Sequence, residues 1–278
     1  MTPAELDEAY ARRKVGDGVA RGLASAAVAI AFLPLIAIFT YVISRGTRAF
    51  SFSFFFSSVG ARGAGMANAI VGTVELVLLA SAMGIPLGVA SGLYLAETRM
   101  TPLSRAIRFG ADVLSGVPSI LVGVVVYAVV VVRMKHFSAF AGAASLAIVM
   151  LPLVTRTTDI VARSVPDSLR EAALALGASR WRTAIQVVLR EAMPGVRSGC
   201  MLAVARACGE TAPLLFTAFN NRFFAGSLLE PTSTLQVQIF TYTMTPNEDW
   251  HAQAWAAALC LVAIVVALNV FARRLLKP

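Results

Sequence analysis

The sequence predicts an all-α, polytopic membrane protein with six transmembrane helices. Of its 278 residues, 58% are hydrophobic and only 14% are charged, whereas about a quarter of the residues in a typical soluble domain are charged. Six apolar runs each approach or exceed the roughly 20 residues that an α-helix needs to cross a bilayer, and short basic loops separate most of them. These runs occupy residues 23–43, 68–96, 110–132, 137–154, 195–219 and 252–271.

The positions of the basic residues predict how the six helices are oriented. An even number of spans places both termini on one side of the membrane. Of the 24 lysines and arginines, six fall on the opposite side, one lies inside the fifth span, and the other 17 lie on the side of the termini. Because cytoplasmic loops carry the excess of Lys and Arg, we expect a cytoplasmic segment at 1–22, a transmembrane domain at 23–271 and a cytoplasmic tail at 272–278. Membrane topology therefore accounts for the net charge of +9 better than nucleic-acid binding does.

Prolines interrupt the second and third predicted spans. Pro86 lies in the second span, and Pro118 lies early in the third, in a Ser-Gly-Val-Pro-Ser sequence. Each proline removes a backbone donor and crowds the preceding turn, which predicts a kink or gate. The break at Pro118 could line a passage or could be a packing kink, since irregular backbone at this depth needs protein or a water-filled cavity around it. Gly84, Gly88 and Gly92 recur every four residues and predict the close approach of another helix.

The fifth predicted span carries two charged residues near its middle, Arg206 and Glu210. A charged side chain at the centre of a membrane helix costs about 2.5–3.5 kcal/mol on insertion scales. The two residues are four apart and share one helix face. Two interpretations are open: an ion pair that fixes helix packing, or a polar point on a solute pathway. Intramembrane charges are usually functional, so we assign Arg206, Glu210 and the adjacent Thr211 to a substrate pathway.

Small residues and a proline accompany this pair. Pro213 cannot donate to the carbonyl four residues before it, which predicts a bend beside the carboxylate. Gly199, Ala203, Ala207 and Thr211 form a stripe of small residues. We expect this stripe to pack against another helix while the two charged side chains turn toward the pathway.

The sequence offers no catalytic or metal-binding constellation. Cys200, Cys208 and Cys260 all fall in predicted spans and form no Cys-x-x-Cys pair, so neither a disulfide framework nor a zinc site is indicated. No phosphate-binding loop of the type Gly-x-x-x-x-Gly-Lys-Ser/Thr occurs. We therefore expect a chain that is not an enzyme and binds no cofactor or metal itself.

The longest cytoplasmic loop, whose central part is residues 164–192, predicts two short helices with a sharp turn. Pro166 is tolerated in a first turn, Asp167 complements the positive helix end, and Gly177 supplies a left-handed cap. Ser179 can then cap a second helix that ends near Leu189. Such a compact knob suits docking into a groove on a soluble partner.

This knob resembles the EAA motif of ABC importer permeases. Glu171, Ala172 and Ala173 are followed after three residues by Gly177, which is the spacing of that motif. The resemblance implies that these four residues couple the chain to a separate ATP-binding subunit. The family pattern continues with Leu-Pro, whereas this chain has Leu-Arg and its proline comes later, at Pro194.

The fifth span resembles the PstA family of phosphate ABC importer permeases more specifically. The sequence from Arg206 to Ala218 carries the Gly-Glu-Thr-Ala-Pro run of that family. Residues 68–73, 114–120 and 237–240 also resemble it. The resemblance implies a type I (MetI-like) ABC importer fold in a bacterial inner membrane. It also implies a homologous PstC-like permease, two PstB-like ATP-binding subunits that hold ATP and Mg²⁺, and an extracytoplasmic PstS-like phosphate-binding protein.

The chemistry of the pair agrees with an anionic solute, and two alternatives remain. An arginine fork matches phosphate oxygens and stays charged. The carboxylate of Glu210 could accept a hydrogen bond from a phosphate hydroxyl, which sulfate lacks. An ABC permease for another oxyanion, such as sulfate or molybdate, is one alternative. A proton-coupled secondary transporter that uses Glu75 and Glu210 is the other, although no inverted repeat is evident.

Overall fold

A computed structural model of the protein describes residues 3–59, 65–98 and 100–275, and the regular structure in this part of the chain is helical throughout. This confirms the predicted all-α class. Arg99 and residues 276–278 of the predicted tail lie outside the described residues. The elements along the chain are α1 (Pro3–Gly46), α2 (Phe52–Phe56), α3 (Ala67–Glu97), α4 (Pro102–Gly116), α5 (Ser119–Val126), α6 (Val132–Met134), α7 (Ala139–Arg163), α8 (Asp167–Ala175), α9 (Arg180–Arg182), α10 (Leu189–Ala207), α11 (Ala212–Leu215), α12 (Leu235–Thr243) and α13 (Glu248–Leu275).

The first helix extends well beyond the predicted first span. α1 has 44 residues and is therefore about 66 Å long at 1.5 Å per residue. It incorporates the described part of the segment 1–22 that precedes the predicted first span. Its C-terminal end packs on α13, where the rings of Tyr41 and Trp255 meet edge to face with centroids 5.0 Å apart. Gly46 lies against the backbone of Trp255 and the side chain of Leu259.

The glycine stripe of the second span brings α3 and α7 into close contact, as predicted. A Cβ built on Gly84 would lie 3.1 Å from the carbonyl oxygen of Ala147. One built on Gly88 would lie 2.7 Å from Val154 Cβ, and one on Gly92 would lie 2.5 Å from the carbonyl oxygen of Thr155. A larger residue at these positions would push the helices apart. α3 runs without interruption through Pro86, so this proline does not break the helix.

The third predicted span is broken at Pro118, and the break is sharp. α4 and the helical segment that follows it, Ser119–Met134, meet at 109°. Val117 and Pro118 are both extended, with ψ angles of 129° and 134°. A turn of π-helix at Tyr127–Val131 joins α5 to α6.

The fifth span differs from the prediction at both ends. The prediction of a second knob helix that ends near Leu189 is wrong, because α9 continues through a π-helical turn at Thr183–Val188 directly into α10. The prediction of a span at 195–219 is also wrong, because the helix ends at Ala207. The π-helical turn accommodates one extra residue, so α9 and α10 join without a loop.

In the part of the chain that the structure describes, fewer helices than the six predicted are long and apolar enough to cross a membrane. Within the described residues, four helical segments are long and apolar enough to cross a bilayer, and the bent α4–α6 pair makes a possible fifth. The α9–α10 helix carries several charged residues along its length. They are Arg180, Arg182, Arg190, Glu191, Arg197 and Arg206.

The predicted outer loop at 220–251 contains buried structure. α12 lies within it and packs against α13 and α3. Thr234 caps this helix, and its hydroxyl accepts a hydrogen bond from the backbone N–H of Val237. Gln236 and Gln238 are both buried. After the mostly exposed residues 222–230, the chain therefore returns into the protein at α12.

Candidate functional site

The candidate site is built around a helix break in the fifth span. α10 ends at Ala207, and tight turns follow in which Gly209 N–H donates to Arg206 O over 2.9 Å and Glu210 N–H donates to Ala207 O over 3.2 Å. The sequence predicts that Pro213 bends a continuous helix. This is wrong, because Pro213 lies at the start of the short α11, after the break. A proline is tolerated in a first turn because its missing N–H would have no intrahelical partner there.

A buried glutamine stabilises the broken end of α10. The side-chain amide of Gln236, in α12, donates a hydrogen bond to the carbonyl oxygen of Cys208. Helix ends leave such carbonyls without intrahelical partners. The carbonyl oxygen of the same amide lies 3.4 Å from the hydroxyl of Thr73 in α3, and that hydroxyl accepts from Leu235 N–H over 2.9 Å. Three elements therefore meet at the break through polar contacts in an otherwise apolar interior.

Arg206 and Glu210 form an ion pair across the end of the helix. Arg206 Nε lies 3.4 Å from Glu210 Oε1. The side chain of Arg206 is 51% exposed and that of Glu210 is 15% exposed. The arginine thus reaches outward from the surface of this chain, while the carboxylate is held against it. Thr211 is partly buried and begins the turn into α11.

The small-residue stripe beside the pair packs as predicted over the length of α10. A Cβ on Gly199 would overlap the side chain of Thr157 in α7, and Ala203 and Ala207 are fully buried. Thr211 lies beyond the end of the helix and does not continue the stripe.

A second ion pair, between Asp112 of α4 and Arg156 of α7, was missed by the sequence analysis. Arg156 was assigned to the cytoplasmic loop, but α7 continues through it to Arg163. Both side chains are at least half exposed. Arg156 adjoins Thr157, which contacts Gly199. Because Gly199 precedes Arg206 by seven residues on α10, Arg156 lies about 10 Å from the level of Arg206, toward the N-terminal end of α10, at 1.5 Å per residue. Asp112 lies inside the predicted third span, and a carboxylate at such a position indicates a partner of opposite charge.

The side of the α7–α10 contact away from α3 is open, and helix periodicity places both arginines there. Arg206 is four residues after the exposed Leu202, and Arg156 is four residues before the exposed Ile160. α3 closes the other side, where Gly88 and Gly92 meet α7 and where Val196 of α10 packs with Leu93. On the open side, Leu202 of α10 and Ile160 of α7 are 60% and 68% exposed. A solute or a second membrane subunit could approach both charged pairs from this side.

The two broken spans touch each other. A Cβ on Gly123 of α5 would lie 2.6 Å from the Cα atom of Pro213. Pro118, which immediately precedes α5, therefore belongs to the same irregular region as the end of α10. Pro86 lies on α3, where it lines a groove with Tyr94 and Trp181.

The cytoplasmic knob has the turn that the sequence predicts. Gly177 has φ of +84°, and its N–H donates to Leu174 O while Ala178 N–H donates to Ala173 O. This is the left-handed helix end that glycine favours. Glu171 and Ala172 are exposed, as is Gly177, and Ala173 is partly buried. The motif residues thus present a free surface on this chain.

No metal site is evident in the part of the chain that the structure describes, where no group of three His, Cys, Asp or Glu side chains could hold an ion. The three cysteines in this part of the chain are free.

Comparisons with known proteins agree on one family. A family model described as "Binding-protein-dependent transport system inner membrane component" matches residues 84–277. The phosphate transport system permease protein PstA of Yersinia pestis is 40% identical over 270 residues, which cover 96% of this chain and 91% of that protein. The PstA protein of Mycobacterium leprae is 34% identical over 274 residues, which cover 94% and 88%.

Solved structures share the fold at low identity. A chain of a bacterial alginate ABC transporter superposes with a TM-score of 0.70 at 14% identity and covers 96% of this chain and 98% of that one. A chain of the MetNI methionine ABC transporter in an inward-facing conformation gives a TM-score of 0.63 at 18% identity, with coverage of 74% and 92%. Likeness at this level of identity concerns the fold alone.

Proposed function

Because the chain belongs to the family of binding-protein-dependent transport system inner membrane components, we propose that it is the transmembrane permease subunit of an ATP-driven importer of inorganic phosphate. Its relatives that are named phosphate permeases cover almost its whole length, which supports phosphate over sulfate or molybdate. Their match extends through both ion pairs and the cytoplasmic knob.

The observation that carries the proposal is the Arg206–Glu210 pair at the break of α10. Phosphate is an anion at any physiological pH, and the planar guanidinium of Arg206 can bind two of its oxygens at once. The half-exposed arginine and the irregular backbone beside it offer polar groups on the open side of a membrane helix. Arg156 supplies a second cation on that side, nearer the cytoplasm.

Glu210 gives the site a means to select phosphate. Near neutral pH phosphate carries at least one hydroxyl, which can donate to the carboxylate, whereas sulfate has only acceptors. A site with a buried hydrogen-bond acceptor discriminates against a solute that has no donor, because that acceptor is then left facing another acceptor. Glu210 also holds Arg206 in place when no solute is bound.

Energy for transport comes from other chains in this proposal. No nucleotide-binding loop occurs in the sequence, so ATP and Mg²⁺ belong to two PstB-like subunits. Glu171, Ala172, Ala173 and Gly177 form the surface of the knob that contacts one of them. A PstC-like permease covers the open side, and a PstS-like protein delivers phosphate from outside. The basic bias of the loops supports an inner membrane location with both termini in the cytoplasm.

Uptake of labelled phosphate into vesicles tests the proposal. The complete complex is reconstituted with the phosphate-binding protein outside and ATP inside, and uptake is measured with and without a hundredfold excess of sulfate. We expect ATP-dependent phosphate uptake that sulfate does not inhibit. With Glu210→Gln, sulfate should inhibit, because the amide can donate to an anion that has only acceptors.

Three results would contradict the proposal. Uptake of sulfate by the unsubstituted complex would reassign the solute. Uptake that follows a proton gradient and ignores ATP would favour a secondary transporter. Unchanged phosphate uptake and anion preference in Glu210→Gln, with the complex intact, would remove the selectivity role from that carboxylate.

A further inference from the structure

One arginine of the cytoplasmic knob is engaged with the membrane domain rather than with solvent. Arg170 lies on α8, immediately before Glu171, and only 16% of its side chain is exposed. Its Nε donates to Glu97 Oε1 over 3.0 Å, and one terminal nitrogen donates to Ala162 O over 2.7 Å. The other terminal nitrogen donates to Val165 O and to Asp167 Oδ1.

Two of these acceptors belong to the ends of membrane helices. Glu97 is the last residue of α3, and Ala162 lies in the last turn of α7. Carbonyl groups at helix C-termini lack intrahelical partners and carry partial negative charge, so a guanidinium is favourable there. A single side chain therefore joins α8 to the cytoplasmic ends of α3 and α7, which are the two helices held together by the glycine stripe.

The apolar attachment of α8 is weak by comparison. Not one of the nine residues of this helix, all of them described, is fully buried. Leu169, Leu174 and the following Leu176 are all exposed. Since burial contributes little to hold α8 on this chain, the charge-assisted hydrogen bonds of Arg170 are its main tie to the membrane domain.

The surface to which Arg170 attaches is itself cross-linked. Asp159 of α7 is buried between two arginines, with Arg108 of α4 at 2.8 Å and Arg163 at 2.7 Å. Both arginines also donate to the carbonyl oxygen of Leu95, two residues before Glu97. The C-terminal ends of α3 and α7 and the middle of α4 are thus joined into one polar platform.

We propose that Arg170, through Glu97, is the positioning residue that transmits movement of α8 to α3 and α7. The inference rests on the proposed function in one respect, namely that α8 is the contact for an ATP-binding subunit. A displacement of α8 by that subunit then pulls on the platform, because the guanidinium connects them directly. Without the guanidinium, α8 can move while α3 and α7 stay in place.

A double-mutant cycle on the complete complex tests this role. The variants are Arg170→Ala, Glu97→Gln and both together, and the readout is the ratio of ATP hydrolysis with the binding protein and solute to hydrolysis without them. We expect Arg170→Ala to lower this ratio about fivefold, within the range by which single residues alter coupling. Glu97→Gln should lower it less, and the double variant should match Arg170→Ala, since the two residues act through one contact.

Asp167→Asn is the matched control. Asp167 also pairs with Arg170, but its side chain is 89% exposed, and exposed ion pairs contribute little. In Asp167→Asn, the ratio of stimulated to unstimulated ATP hydrolysis should stay unchanged. Additive effects of the two substitutions, or a full ratio in Arg170→Ala with the ATP-binding subunit still bound, would overturn the inference.

Hydrogen exchange separates this inference from the proposed function. In the purified full-length chain, without partners or solute, Arg170→Ala should speed amide exchange across α8 and leave that of α3 unchanged. Equal exchange rates in α8 would overturn the inference even if phosphate uptake is normal. Failure of the unsubstituted complex to import phosphate would instead count against the proposed function, while the exchange result would still decide whether Arg170 holds α8.

Discussion

Gly123 of α5 lies directly against Pro213 of α11, so the two broken membrane spans meet at their irregular ends. The two residues are far apart in the sequence. Gly123 follows the break at Pro118, and Pro213 follows the break at the end of α10. The contact allows the end of α10, with Arg206 and Glu210, to be positioned by α5. A glycine is needed there because a Cβ would lie 2.6 Å from the Cα atom of Pro213.

We expect Gly123→Val to destabilise the protein and to reduce transport. The side chain has no room against the proline backbone, and overpacking of this kind costs about 1–3 kcal/mol. Thermal unfolding of the purified chain in detergent measures the loss. Gly116→Ala is the control, because nothing lies within 4 Å of a Cβ at that position. Equal unfolding temperatures for the two variants would show that the α5–α11 contact can adjust freely.

Local patterns in the sequence predict the features that local chemistry determines. The four-residue spacing of Gly84, Gly88 and Gly92 predicts the α3–α7 contact, because close packing of helices needs small residues on one face. The position of Gly177 predicts the left-handed turn of the knob. Arg206 and Glu210 are predicted to lie together, and they do so even though the helix ends between them.

Features that depend on distant residues could not be predicted in this way. Pro213 alone predicts a kink, but the helix stops at Ala207, where Gln236 supplies a partner for the carbonyl of Cys208. The apolar run of the fourth span ends at Val154, yet α7 continues to Arg163, and within this extension Arg156 pairs with Asp112 of another helix. Hydropathy does not report such partners, which come from residues 28 and 44 positions away.

Arg206→Gln should abolish most phosphate uptake and leave the fold intact. The guanidinium is half exposed, so its loss creates no cavity, whereas each charge-assisted hydrogen bond to the anion contributes about 1.5–3 kcal/mol. We expect uptake to fall at least about tenfold, with Arg206→Lys intermediate, since lysine keeps the charge and loses the fork. Uptake in vesicles and thermal unfolding are measured together.

Arg222→Gln is the control for that experiment. Arg222 is an exposed arginine on the predicted outer side, so its substitution removes a positive charge without altering the site. It should retain nearly full uptake. Similar losses in the Arg206 and Arg222 variants would indicate a general effect of charge on phosphate arrival instead of a contact at the helix break.

Gln236→Leu should destabilise the end of α10. The leucine cannot donate to the carbonyl of Cys208, and a buried carbonyl left without a partner costs about 1–3 kcal/mol. Proteolysis or hydrogen exchange around residues 207–211 should increase, and the unfolding temperature should fall. Gln186→Leu is the matched control, because Gln186 is exposed on the π-helical turn. If exchange at 207–211 is unchanged in Gln236→Leu, the break is stabilised by packing alone.

Gly177 offers the cleanest test of the knob, because the only constraint on that residue is its backbone. Nothing lies within 4 Å of a Cβ there, but its φ of +84° is unfavourable for residues with a side chain. We expect Gly177→Val to weaken co-purification of the ATP-binding subunit strongly and Gly177→Asn to weaken it only slightly, since asparagine tolerates the left-handed region. The amount of that subunit retained on the tagged full-length chain gives the measurement. If valine and asparagine weaken binding equally, the contact depends on the absence of a side chain at position 177 and not on the left-handed turn. If neither substitution has an effect, the ATP-binding subunit does not bind at the knob.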